Sequence, residues 1–204
     1  MSQHPGDFDA RPAVLRCGRC GKAVDWNEAQ LQVVCSCRPH IPLPPVLVRE
    51  ATDADRMVVR DLFRRDFGRA PIVAFGEVMN VDEMPALVAA MHEDVSGALV
   101  YRIHGDGLHI VALATDPTWQ RSGVGGHLVA EAELLARRLR LARLLVTTTN
   151  DNLPALYFYQ RRGYRLSTFV PGGVLAHASG TPEGFAGIPV RDEVRLEKPL
   201  APTD

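Results

Sequence analysis

The sequence predicts an α/β chain in which about seven strands alternate with helices, after a short segment that carries the cysteines. Apolar, β-branched runs of strand length recur along the chain, and segments with helical apolar spacing lie between them. A glycine-rich turn at residues 120–126 joins one such strand to one such helix. All four cysteines precede a proline-rich stretch at residues 38–45.

Length and composition set limits on the function. A chain of 204 residues with 46% hydrophobic residues can hold one ordinary domain and a small appendage. The net charge of −1 gives no basic footprint for nucleic acid. No apolar run approaches the ~20 residues that span a membrane, and the N-terminus lacks the apolar core of a signal peptide. We therefore expect a cytoplasmic protein without a membrane anchor.

The clearest domain boundary in the sequence is the proline-rich stretch at residues 38–45. The proline-rich stretch is a stiff linker that separates a module at residues 1–45 from a domain at residues 46–204. A strand is expected at residues 46–50, followed by a helix from Thr52 to about Asp66. The secondary structure of residues 68–83 is ambiguous, because glycines and a proline interrupt them. The apolar face of the helix is predicted to comprise Met57, Val58, Leu62 and Phe63.

Strands are then expected at 85–92 and 98–104, joined by a turn at 93–97, and at 109–114. The helix after the glycine-rich turn is followed by a strand at 142–149. Asn152 begins the next helix and Gly163 ends it. After a loop at about 171–188, the last strand is predicted at 189–197. The buried face of the helix after the turn is predicted to comprise Val124, Leu128, Ala132, Leu135 and Leu139.

The glycine-rich turn has the chemistry of a phosphate site. The first amides of a helix lack partners within the helix and carry partial positive charge. A dinucleotide fingerprint would need glycine where Leu128 stands, and a P-loop would need Gly-Lys-Ser/Thr where the chain reads Gly125-Gly126-His127. What remains is Gln120, Gly123 and Gly125 in the spacing Gln-x-x-Gly-x-Gly. The alternative interpretation is an ordinary turn.

A second motif follows one strand later. Asn152, Ala155, Tyr159 and the pair Gly163-Tyr164 stand at fixed spacing along the next predicted helix. Together, the two motifs resemble those of the GNAT acyltransferase superfamily over residues 46–200, about three quarters of the chain. The resemblance implies a mixed central sheet of about seven strands flanked by helices. It also implies transfer of an acetyl group from acetyl-CoA to an amine by direct attack.

The resemblance assigns site residues. Tyr159 stands where the family places the general acid; the alternative is a core aromatic on a helix that also carries Tyr157. Asn152 corresponds to a cofactor contact, with a helix cap as the alternative role. The cofactor-binding set implied by the resemblance is Ala114, Gln120, Arg121, Ser122, Gly123, Val124, Gly125, Gly126, Asn152, Ala155 and Tyr159.

The general base is left open. Some family members carry a glutamate five residues before the motif asparagine, but this chain has Thr147 there, which cannot accept the proton. A chain of water molecules could do so instead. The side-chain candidates, each of which has a simpler structural or solvated role, are Glu77, Asp82, Glu83, Asp192, Glu193, His92, His104, His109 and His127.

The cysteines are spaced Cys17-x-x-Cys20 and Cys35-x-Cys37, which resembles a zinc-ribbon-like module with four thiolate ligands. A segment of ~40 residues cannot bury enough apolar surface to fold unaided, whereas structural zinc can supply the missing stability. His40 could replace one thiolate. A redox dithiol and unliganded cysteines are the alternatives.

Two other functions are compatible with the sequence. One is a non-catalytic sensor that binds acyl-CoA and carries a zinc module, and the other is a zinc-ribbon adaptor for nucleic acid, which the mixed charge of residues 1–45 disfavours. The acceptor could be a small amine or a protein amine. The cysteine module could recognise a protein, dock the partner of a homodimer or cap the fold.

Overall fold

The computed structural model describes residues 25–27, 32–34, 46–68, 72–91, 94–120, 122–174 and 183–200. The chain divides into two units, residues 1–43 and residues 44–204. In the first unit, β1 (Asp25–Asn27) and β2 (Gln32–Val34) pair antiparallel. Among the described residues, no helix is long and apolar enough to cross a membrane.

The second unit alternates strands and helices, with single turns of 3-10 helix between some of them. In chain order its elements are β3 (Val46–Glu50), α1 (Arg56–Phe67), β4 (Ile72–Ala74), β5 (Glu77–Met79), β6 (Ala86–Met91), β7 (Asp94–His104), β8 (Gly107–Thr115), α2 (Val124–Arg138), β9 (Arg143–Thr149), α3 (Leu153–Gln160), β10 (Arg165–Val170) and β11 (Glu193–Pro199).

Seven of these strands form one mixed sheet in the order β10-β11-β9-β8-β7-β6-β3. All neighbours are antiparallel except β8 and β9, which are parallel because α2 makes the crossover between them. The short strands β4 and β5 form a separate hairpin. The predicted mixed sheet of about seven strands is therefore confirmed.

The sheet separates two apolar clusters. On one face, α2 and α3 pack against the sheet, with Leu128, Leu144 and Tyr164 fully buried. On the other face, α1 and the β4–β5 hairpin pack against it, with Phe63 and Phe75 buried. The central strands face apolar neighbours on both sides, which is why they read as continuous apolar runs in the sequence.

The predicted turn at residues 93–97 is wrong. β7 begins at Asp94, and Ser96 is an extra residue between the pairs Ala89↔Gly97 and Ala90↔Val95. A Cβ on Gly97 would lie 2.9 Å from Val124 Cγ1. Gly97 therefore marks a close approach of α2 to the sheet, which a sequence cannot distinguish from a turn.

Other boundaries also shift. Thr52 caps the first helical segment as predicted, but α1 buries Val59 and leaves Met57 65% exposed. Leu139 follows the end of α2 and is 46% exposed rather than buried. The last strand runs from Glu193 to Pro199 instead of 189–197, because residues 189–192 belong to the loop that precedes it. Residues 72–79, which the sequence left unassigned, form the β4–β5 hairpin.

Candidate functional site

The sheet opens between its two parallel strands. β8 and β9 pair from Gly107↔Arg143 to Ile110↔Val146 and then separate, although β8 continues to Thr115 and β9 to Thr149. Val111, next to the last paired residue, is the extra residue of a bulge against β7. A bulge bends its strand, so it turns β8 away from β9 at this point. The separated edges expose backbone N–H and C=O groups that can bind an amide-bearing ligand.

The glycine-rich turn stands at the end of β8, beside this opening. Gln120 and Ser122 lie in the turn that follows a short 3-10 helix, and the Ser122 hydroxyl donates to the Trp119 carbonyl. Gly123 begins α2 with a φ of +98°, a conformation that side chains with a Cβ rarely adopt. No heavy atom lies within 4 Å of the position where its Cβ would stand. Arg121 lies outside the described residues.

The amides at the start of α2 are available to a ligand. The first helical hydrogen bond runs 3.1 Å from the His127 N–H to the Gly123 carbonyl. The N–H groups of Val124, Gly125 and Gly126 precede it and therefore have no acceptor in the helix. The Val124 side chain is buried, so only its backbone can take part in binding.

Gly125 and Gly126 have a packing role that the sequence did not indicate. A Cβ on Gly125 would lie 3.5 Å from the Phe158 ring, and one on Gly126 would lie 2.6 Å from an Arg162 guanidinium nitrogen. Both side chains belong to α3 or the turn that ends it. Gly126 therefore allows close packing of α3 and its end against α2, whereas a Cβ on Gly125 would make only an ordinary contact with α3.

The second motif stands on α3, on the same face of the sheet. The Asn152 carboxamide oxygen accepts from the Ala155 N–H at 3.1 Å, so Asn152 caps α3 and keeps its NH₂ group for another contact. Ala155 is half-buried against the core. Ala114 is buried on the part of β8 that no longer pairs with β9, and it faces the α1 side of the sheet.

Tyr159 and Tyr157 occupy different environments. The Tyr159 ring is 5% exposed and packs edge-on against Phe158 and Tyr164, with centroids 5.0 and 5.4 Å away. Its hydroxyl has no hydrogen-bond partner among the described residues, and burial raises its pKa far above the usual value near 10. Tyr157 is 64% exposed and accepts from Arg161. Of the two, only Tyr159 can meet a ligand inside the fold.

The opposite face of the sheet at this opening is covered by the β4–β5 hairpin. Phe75 has a φ of +57° at the hairpin tip, and its ring lies 4.4 Å from that of His109. The next amide, Gly76 N–H, donates to Glu193 on β11. The hairpin tip therefore reaches over β8 and β9 as far as β11.

The predicted carboxylate bases are engaged or remote. Arg102 binds both oxygens of Glu77 at 2.7 and 3.0 Å, and this holds the Glu77 pKa below its usual value. Glu193 is 3% exposed and bound by Gly76 and Arg195. Asp192 accepts from the Gly172 N–H, while Asp82 and Glu83 are exposed.

Of the histidines that were candidates for the base, only one is buried among the described residues. His104 and His127 are exposed, and His92 lies outside the described residues. His109 is buried, and burial, together with the charge of Arg102, lowers its pKa to about 4. Within the described part of the chain, its Nδ1 has no hydrogen-bond partner, and neither has the buried hydroxyl of Thr147 on β9, where the opening begins.

The four predicted zinc ligands all lie in the first unit of the chain. Cys17, Cys20, Cys35 and Cys37 lie outside the described residues, as does His40. Within the described ranges, no three His, Cys, Asp or Glu residues are grouped so as to hold a metal.

Comparison with known proteins agrees with the motifs. Residues 55–164 match the model of the Acetyltransferase (GNAT) family. The chain is 31% identical to YxbD of Bacillus subtilis (strain 168) over 149 residues, which cover 70% of this chain and 92% of YxbD. It is 28% identical to YdhI of the same organism over 146 residues, or 69% and 90% of the two chains.

Solved structures share the fold. An IAA acetyltransferase from Bacillus cereus ATCC 14579 is 21% identical with a TM-score of 0.61, covering 76% of this chain and 100% of that one. A Bacillus subtilis acetyltransferase in complex with CoA is 24% identical with a TM-score of 0.62, covering 76% and 98%.

Proposed function

We propose that this chain, which belongs to the acetyltransferase (GNAT) family, moves an acetyl group from acetyl-CoA to an amine acceptor by direct attack, with Tyr159 as the general acid. The acetyl donor follows from the family. The residue roles and the acceptor class are the proposal. The observation that carries it is the opening between β8 and β9, which has the glycine-rich turn at its end and Tyr159 on the adjoining helix.

The donor would occupy this opening. The amides at residues 124–126, which have no acceptor within α2, suit its diphosphate, since they carry the positive end of the α2 dipole. Its pantetheine amides suit the separated edges of β8 and β9, because their N–H and C=O groups can form hydrogen bonds with the backbone of both strands. The Asn152 NH₂ group would donate to the same segment, while its oxygen caps α3.

Tyr159 has the properties of the proton donor. When the amine nitrogen attacks the thioester carbonyl carbon, a C–N bond forms and the C–S bond breaks. The leaving thiolate takes the phenolic proton of Tyr159. Burial raises the pKa of this phenol, and the same dry surroundings also raise the pKa of the leaving thiol. The transfer of the proton from the phenol to the thiolate therefore stays favourable.

Water is our candidate for the base. The amine must lose a proton during attack, and the carboxylates near the opening are held by Arg102, Arg195 or backbone amides. His109 is a weak base because its pKa is about 4. The Thr147 hydroxyl and His109 Nδ1, which have no hydrogen-bond partner among the residues that the structure describes, are polar groups that can hold water on the acceptor side.

Thiol release from acetyl-CoA over a broad amine panel tests the proposal. We expect at least one amine to raise release above the rate in water. Tyr159→Phe should lower turnover by about 10²–10⁴-fold with acetyl-CoA affinity nearly kept, while the exposed control Tyr157→Phe should change it little. Equal small effects of both substitutions would contradict the acid role. Acetyl-CoA binding with no amine-dependent release would favour a non-catalytic sensor.

We also propose that residues 1–45 form a separate module with structural zinc bound to Cys17, Cys20, Cys35 and Cys37. The β1–β2 hairpin supports this, because Asp25 pairs with Val34 and the chain therefore enters and leaves the hairpin at one end. Cys35 follows Val34 directly in the sequence.

Elemental analysis tests the zinc proposal. We expect about one zinc per chain, as in a closed four-ligand site. Four freely titratable thiols and no zinc in protein prepared without chelators would contradict the site. Full occupancy in Cys37→Ser would identify His40 as the fourth ligand instead.

A further inference from the structure

Arg162, in the turn after α3, lies against the start of α2. Its guanidinium carbon stands 3.7 Å from the centroid of the Phe158 ring, and Nη1 donates to the Phe158 carbonyl at 3.0 Å. Its second terminal nitrogen stands 2.6 Å from where a Cβ on Gly126 would be. The guanidinium is therefore held beside the first turn of α2, in space that only a glycine leaves open.

This position is electrostatically unfavourable for a cation. The start of α2 carries the positive end of the helix dipole, and an arginine is normally stabilised at the other end. Arg162 is half-buried, and this burial lowers its pKa. Among the described residues, no carboxylate forms an ion pair with Arg162. Glu133, which lies on α2, is bound by Lys198 at 2.7 and 2.8 Å. A bound anion would remove this penalty.

We propose that Arg162 binds a phosphate group of acetyl-CoA from the α3 side, opposite the amides at the start of α2. The inference rests on the proposed function, which supplies the ligand. It extends the phosphate site from backbone amides to a side chain that offers a planar set of donors. Gly126 is then required because its missing Cβ leaves room for the guanidinium.

Calorimetric titration with acetyl-CoA tests this inference. We expect Arg162→Met to weaken binding by about tenfold or more, and to reduce the dependence of affinity on salt concentration. Gly126→Ala keeps the charge but displaces the guanidinium, so it should weaken binding in the same direction. Arg161→Met is the matched control, since Arg161 faces the exposed Tyr157. Thermal unfolding checks that each variant is folded.

Two comparisons make the test decisive. With acetyl-3′-dephospho-CoA, an undiminished effect of Arg162→Met assigns the contact to the diphosphate, and a lost effect assigns it to the 3′-phosphate. Affinity and salt dependence within twofold of wild type in folded Arg162→Met would overturn the inference. If Arg162→Met does not fold, Arg162→Lys and Gly126→Ala decide in its place. Absence of acetyl-CoA binding by the wild type would instead refute the proposed function.

Discussion

The amide of Gly76 donates a hydrogen bond of 3.0 Å to Oε2 of Glu193, which joins two residues 117 positions apart in the chain. Gly76 is at the tip of the β4–β5 hairpin, and Glu193 begins β11. Arg195 binds the other carboxylate oxygen of Glu193, and its guanidinium lies 5.8 Å from the Phe75 ring. The hairpin tip is thereby fixed over the opening between β8 and β9, on the side from which an acceptor would approach.

Glu193→Ala should release this tip. The substitution leaves the Gly76 amide and the Arg195 guanidinium without the carboxylate that they share in a partly buried hydrogen-bond pair, so we expect the free energy of unfolding to fall by about 1–3 kcal/mol. The Gly76 amide should exchange with solvent faster, as followed by NMR. The control is Glu197→Ala on the same strand, whose carboxylate makes one 3.4 Å contact with Arg143 and should matter much less. An unchanged Gly76 exchange rate would show that Glu193 does not anchor the hairpin.

Gly123→Val should weaken acetyl-CoA binding more than tenfold. Valine disfavours the φ of +98°, so the turn must rearrange and redirect the amides at the start of α2. Gly105→Val is the matched control, because Gly105 also has a positive φ and open surroundings but lies in the β7–β8 turn. Calorimetry on both variants measures the affinities. Equal affinities in the two folded variants would refute the role of the glycine-rich turn.

Gly97→Ala should lower the free energy of unfolding by about 1–3 kcal/mol. The new Cβ would stand 2.9 Å from Val124 Cγ1 and 3.0 Å from the Ala114 carbonyl oxygen, and the backbone cannot easily retreat. Gly125→Ala provides the contrast, since its Cβ would make ordinary contacts at 3.5 Å and alanine favours a helix. Urea denaturation compares the two, and a smaller loss at Gly97 than at Gly125 would contradict this packing.

The pH dependence of stability should reveal the lowered pKa of His109. Its pKa falls from the usual 6.5 to about 4 in the folded chain, through burial and the neighbouring charges of Arg102, His104, Arg143 and Arg195. The unfolded chain therefore binds the proton more readily between these pH values, and the folded state loses stability as the pH falls through this window.

Between pH 6.5 and 4, wild type should lose about 1–3 kcal/mol more unfolding free energy than His109→Gln. His104→Gln, which changes an exposed histidine, should keep most of the wild-type pH dependence. Denaturation curves at several pH values measure the difference. Parallel profiles of wild type and His109→Gln would show that His109 titrates normally in the folded state.

The features that the sequence predicted well depend on short stretches of chain. The Asn152 cap and the strand, turn and helix around Gly123 follow from local spacing and backbone preference. The β4–β5 hairpin was not predicted, because Phe75 and Gly76 take their conformation from tertiary contacts with distant residues such as Glu193.

In the candidate site as well, local sequence predicts some features and tertiary packing determines the others. The motif spacing singled out Tyr159, and its burial separates it from the exposed Tyr157. The closeness of Arg162 to Gly126 depends on how α3 packs on α2, and local sequence spacing does not predict such a tertiary contact. Gly97 shows the same limit, since glycine serves both turns and close contacts.

A crystal structure of the protein with acetyl-CoA tests the central claim most directly. We predict the pantetheine between β8 and β9, the diphosphate at the amides of residues 124–126, and the thioester sulfur within about 3.5 Å of the Tyr159 hydroxyl. A donor bound outside this opening, or a sulfur remote from Tyr159 in a fully occupied complex, would contradict the account.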